Sequence, residues 1–143
     1  MYDQMTHERR YQAWALWLLR LSLGIIFIGH GGQKVFGLWG GPGLEGFVQW
    51  IGTFGVPPVL GYLAAFAELA GGICMFLGVA TEVGALLTIP VMIGAVFLVH
   101  WPNGYLQHDG FEFTLHLILL AAAVIIGGPG CGALWDPFKK FRK

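Results

Sequence analysis

"AWALWLLRLSLGIIFIGH", residues 13–30, decides the fold. Its 18 residues carry one charge, Arg20. An α-helix rises about 1.5 Å per residue and a bilayer's hydrocarbon core is about 30 Å thick, so a span takes about 20 mostly apolar residues, with a usual range of about 17 to 25. Arg9 and Arg10 precede the run as they would in a secretory signal, but the run outlasts the roughly 7–15 apolar residues of such a signal. A retained first span is expected.

Three further apolar runs follow, at 59–79, 83–100 and 111–126. Across all 143 residues the chain is 56% hydrophobic, 15% aromatic and only 11% charged, with a mean hydropathy of +0.67, which lies outside the range of ordinary soluble domains. The expected fold class is all-α: a polytopic membrane protein, one domain over residues 1–143, built as a four-transmembrane-helix bundle. The formal net charge of +0 offers no basic surface for nucleic acid, and the first partner is the lipid bilayer.

Lysine and arginine orient the spans. Arg9, Arg10 and Arg20 lie at the entry end of the first run, and Lys139, Lys140, Arg142 and Lys143 follow the last, so both termini are expected in the cytoplasm. His30 and Lys34 then fall at the outer end of the first span and His100 closes the third on that side. Glu112 and His116 open the fourth there, and Glu68 lies near the middle of the second. Polar side chains therefore converge on the outer half. In "IGHGGQKVFG", residues 28–37, Gly31 and Gly32 are expected to let the chain turn, folding His30 and Lys34 back over a buried acidic site. Beyond it, "LEGFVQWIGTF", residues 44–54, sets Leu44, Phe47, Val48, Ile51 and Phe54 at helical spacing, with Glu45, Gln49 and Thr53 opposite. This reads as a short interfacial helix over the outer mouth, ended by Pro57 and Pro58.

Glu68 is the most informative residue. An ionised group at the bilayer centre costs about 2.5–3.5 kcal/mol on insertion scales, so it persists when paired, protonated or lining a wet cavity. Its candidate partners are Arg20, Lys34 and His30, either as an ion pair that fixes helix register or as part of a proton relay or ligand site. Arg20 alternatively snorkels to the cytoplasmic headgroups. Glu112 and His116 stand one helical turn apart and share a face, a spacing at which the carboxylate orients the imidazole for proton transfer or both hold a metal. A metal site from His30, His100 and His116 requires convergence from separate helices, because no H-x-x-x-H or H-E-x-x-H spacing occurs. Trp14, Trp17, Trp101 and Tyr105 fit an aromatic belt at the span ends. Cys74 and Cys131 form no C-x-x-C, which argues against thiol–disulfide chemistry. The chain has no haem-attachment, nucleotide or iron–sulfur motif, so any redox cofactor is expected from a partner.

The order of Arg20 and Gly24, then "GHGGQK" with Gly31 and Lys34, then Glu68 in "ELAGG", then "HWPNGYLQHDGFE" from His100 to Glu112, then "GPG" at Gly128 to Gly130, resembles the DoxX family of DoxX/DoxD-like proteins. The resemblance covers nearly the whole chain. It implies a small four-helix, bacterial-type inner-membrane protein with a polar core; some relatives are membrane subunits associated with quinone-linked oxidoreductases, including thiosulfate:quinone oxidoreductase. The family's polar pattern falls on Arg20, Lys34, Glu68, His100, Asn103 and Glu112. The chain departs from it at Glu82, where relatives often carry an arginine, in the ending "GPGCGALWDPF", and at His116, which is no family mark.

The expected function is the membrane subunit or partner of a quinone-linked oxidoreductase. Arg20, His30, Lys34, Glu68, His100, Asn103, Glu112 and His116 are the candidates for binding a small ligand or quinone or relaying protons, and a redox-enzyme subunit or a second copy of the chain are the candidate protein partners. The alternatives are a non-catalytic assembly or transport factor whose charges only hold the helices together, and a histidine-based metal carrier.

Overall fold

The computed structural model describes residues 2–141, with side chains described over 7–140. Arg142 and Lys143 of the expected cytoplasmic tail lie outside the described residues. Within them the chain is all-helical and without strands; one isolated bridge joins Val79 to Trp135. The main helices are α1 (Tyr2–Phe36), α2 (Gly43–Gly52), α3 (Pro58–Leu77), α4 (Thr81–Gly94) and α5 (Glu112–Gly127). A π-helical turn, Ala95–His100, and a 3-10 turn, Trp101–Asn103, extend α4. Three segments are long and apolar enough to cross a membrane, His7–Phe36, Pro58–Leu77 and Thr81–Asn103, while α5 is a shorter apolar helix.

The first span does not end at His30. Gly31 and Gly32 stay inside α1, which continues to Phe36 and stops at Gly37, a residue with φ 69° whose N–H reaches back to the Gln33 carbonyl at 3.1 Å. The glycines serve packing rather than turning. A Cβ on Gly31 would lie 2.6 Å from the Leu69 Cα, and one on Gly24 would lie 2.6 Å from the Phe76 nitrogen. In lipid, where tails are as apolar as leucine, such backbone approach is a main source of helix association. A Gly31→Val variant is expected to lose about 1–3 kcal/mol by overpacking, seen as a lower melting temperature in detergent; an unchanged melt would contradict this α1–α3 contact.

Pro57 precedes the first residue of α3, Pro58, which suits the first turn because its missing N–H has no helical partner there. Gly78, with φ 69°, ends the helix, and the Val79 N–H returns to the Cys74 carbonyl at 3.0 Å. Next to this turn α3 and α4 lie close: a Cβ on Gly71 would meet the Thr88 methyl at 2.6 Å, and one on Gly84 the Cys74 Cβ at 2.6 Å. α2 lies over the opposite end of α3, with Val48 and Ile51 against Gly61 and the Tyr62 hydroxyl donating to the Glu45 carboxylate at 3.1 and 3.2 Å. It ends two residues before the expected Phe54, in a turn through Gly55.

α1 packs on α3, α3 on α4, α4 on α5, and α5 back on α1. Leu23, Phe27, Met75, Ala85, Met92, Leu117, Ala121 and Val124 form the core between them. Leu63, Leu86, Leu119 and Ile126 face outward and exposed, an arrangement that costs little against lipid tails.

Candidate functional site: an ion pair at the head of an apolar cavity

Because α1 remains helical through Gly31 and Gly32, Lys34 projects from its last turn onto the middle of α3. Its Nζ donates to Glu68 Oε1 at 2.5 Å. Glu68 is fully buried, and the Lys34 side chain keeps 21% of its exposure. The same ammonium lies 4.9 Å from the centre of the Phe47 ring on α2, a cation–π contact that brings a third helix to the pair. The second carboxylate oxygen, Oε2, is buried without a hydrogen-bond partner.

The pair stands at the head of a cavity of about 1060 Å³. His30, Lys34, Glu68, His100, Asn103 and Asp109 supply its polar lining, and Phe47 and Trp50 of α2, with Phe54 from the turn that follows it, cover it. Its long walls are apolar, with Leu60, Leu63 and Ala64 from α3 facing Leu87 and Pro90 from α4 and Leu98 from the π turn. Leu60, Leu63, Leu87 and Leu98 also count among the outward-exposed leucines, so the cavity is continuous with the apolar surface between α3 and α4. The two helices are pinched at Gly71 and Gly84; the cavity occupies the other end, where Pro90 removes a backbone donor from α4 and the π turn interrupts its regular bonding.

His100 is held in one tautomer. Its Nδ1 lies 2.7 Å from the Asp109 main-chain carbonyl, which can only accept, so Nδ1 carries the proton. Asn103 Nδ2 donates to the same carbonyl at 3.2 Å. Asp109 adopts φ 61°, a left-handed conformation that aspartate tolerates better than most residues.

The DoxX family model matches residues 15–101. The Bacillus subtilis (strain 168) protein named "Putative oxidoreductase CatD" is 34% identical over 121 residues, covering 85% of this chain and 84% of that relative. The chain belongs to the DoxX family. No solved structure matches it. In this DoxX membrane protein the matched segment holds His30, Lys34, Glu68 and His100 of the cavity head, while Asn103 and Asp109 follow it.

Of the residues singled out in the sequence, the DoxX fold gathers His30, Lys34, Glu68, His100 and Asn103 around one space. It does not gather the others. Glu112 and His116 are exposed, because α5 turns Thr114, Leu117, Ala121 and Val124 inward and the two polar residues fall off that line. His116 Nδ1 pairs with the Glu112 main-chain carbonyl at 2.7 Å rather than with its carboxylate. His30, His100 and His116 therefore do not assemble, and among the described residues no three His, Cys, Asp or Glu side chains come close enough to share a metal.

Arg20 neither snorkels nor reaches Glu68. It is 1% exposed and donates to five main-chain carbonyls: Nε to Pro129 at 2.7 Å, Nη1 to Met75 and Phe76 at 2.8 and 3.0 Å, and Nη2 to Cys131 and Gly132 at 3.1 and 3.0 Å. Met75 and Phe76 belong to the last turn of α3, whose carbonyls lack helical partners and carry the negative end of the helix dipole. The DoxX protein thus ties the last turn of α3 to a guanidinium and its middle to the last turn of α1 through an ion pair. Asp109 was missed by sequence reasoning, because its contribution is a backbone carbonyl. The left-handed turn before α5, marked by "HDG" at residues 108–110, is the signal that would have found it.

Proposed function

We propose that this protein is the membrane partner of a quinone-linked oxidoreductase and that its cavity binds a quinone drawn from the bilayer. In this reading the chain is a single membrane domain, a four-span bundle in a bacterial-type inner membrane with both termini in the cytoplasm. The observation that carries the reading is the buried Lys34–Glu68 pair, with one carboxylate oxygen unpartnered, at the polar head of an otherwise apolar cavity of about 1060 Å³. An ion pair that only fixed helix register would need no such space beside it. Ligand pockets commonly measure about 300–1,000 Å³, mostly apolar with a few convergent polar groups. A quinone matches that division: its oxygenated ring meets the head, and its tail lies between Leu60, Leu63, Leu87 and Leu98 and leaves into lipid. The relative's name supports a redox role, and the electrons would come through a cofactor held by the partner.

A short-chain ubiquinone titrated into the protein in lipid nanodiscs tests the site, with fluorescence of the cavity residue Trp50 as reporter. Saturable quenching is expected in the wild type and absent from Trp50→Phe. Ala64 lines the wall one helical turn from Glu68, so Ala64→Phe is expected to weaken binding at least about tenfold while the melting temperature holds. No saturable binding by the wild type would sink the proposal.

A further inference from the structure

We infer that the cavity selects the hydroxyl-bearing, reduced form of its ligand, the quinol, because Lys34 and Glu68 present a donor and an unfilled acceptor to the same oxygen. The inference rests on the quinone reading above and goes further, to the redox state of the bound head group. Glu68 is an acceptor only, and its Oε2 has no partner. A buried acceptor left unpaired is more damaging than the mean value of a hydrogen bond suggests, so the group that fills it should bring a proton. The Lys34 ammonium carries three N–H donors, of which one serves Glu68 Oε1. An oxygen brought against both groups would meet an N–H and a bare lone pair together.

A hydroxyl answers both, accepting from Nζ and donating to Oε2. A quinone carbonyl answers only Lys34 and sets its own lone pairs against the carboxylate. His100 also lines the cavity, and with its Nδ1–H committed to the Asp109 carbonyl, Nε2 is an acceptor whenever the ring is neutral. Oε2 is itself closed off, so the hydroxyl reaches it only if the partly exposed Lys34 side chain shifts far enough aside.

Three probes on one skeleton test this on the wild-type protein in nanodiscs under argon: ubiquinol-1, ubiquinone-1, and the dimethyl ether of ubiquinol-1, which keeps the reduced ring but has no O–H. The quinol is expected to bind about tenfold or more tightly than either of the others. No variant is needed for that comparison, so a folding defect cannot imitate the result. Glu68→Gln, whose amide supplies an N–H, is expected to abolish the preference. Quinone or ether binding as well as quinol, or a preference that survives Glu68→Gln, overturns the inference and leaves the quinone site standing. Failure of all three probes to saturate overturns the site itself.

Discussion

Replacing Arg20 with glutamine is expected to lower stability by at least about 3 kcal/mol, seen as loss of folded protein from the membrane and a collapsed melt in detergent. The guanidinium is buried and every one of its nitrogens is bonded to a main-chain carbonyl. Removing it orphans carbonyls at the end of α3 and along residues 129–132 together. Where no water reaches them, unpaired backbone groups are especially costly. Arg20→Lys keeps the charge but not the planar fork of donors, so it is expected to recover less than half of the loss. A lysine variant that melts with the wild type would show that charge alone matters there.

The second large effect concerns the ion pair at the middle of α3. Lys34→Met leaves the Glu68 carboxylate buried without a counter-charge and is expected to cost about 3–5 kcal/mol. Adding Glu68→Gln should restore most of that stability, because replacing both members of a buried pair is often tolerated where breaking it is not. The double variant is nonetheless expected to bind no ligand. Melting temperatures and quinone titrations on the two single variants and the double variant check both parts. A double variant as unstable as Lys34→Met would refute the pair as the source of the loss, and one that binds ligand normally would remove the pair from the site.

The helical fold was legible because apolar runs of span length leave few alternatives, and Glu68 was legible because a charge in such a run needs a reason. Its partner could be named only as one of three. Choosing Lys34 depends on α1 staying helical through Gly31 and Gly32, and a Gly-Gly pair reads as a turn signal until the backbone of Leu69 is seen against Gly31. The expected convergence of Glu112 and His116 failed on rotation about the helix axis. They do stand in the first turns of α5, but a helix as apolar as this one gives no polar stripe to say which face is inward. Arg20 was hardest, since all its partners are main-chain carbonyls and no side-chain pattern announces them. The only trace is the glycine-rich "GGPGCG" at residues 127–132, a segment whose backbone is left accessible to a donor.

Native mass spectrometry of the chain released gently from its own membrane tests the central claim most directly, with wild type and Ala64→Phe compared side by side. A lipid-quinone mass on the wild-type chain, depleted from Ala64→Phe at equal yield of folded protein, is the expected result. Wild-type protein that carries no quinone, or a quinone carried equally by both, would contradict a binding site in the cavity beneath Lys34 and Glu68.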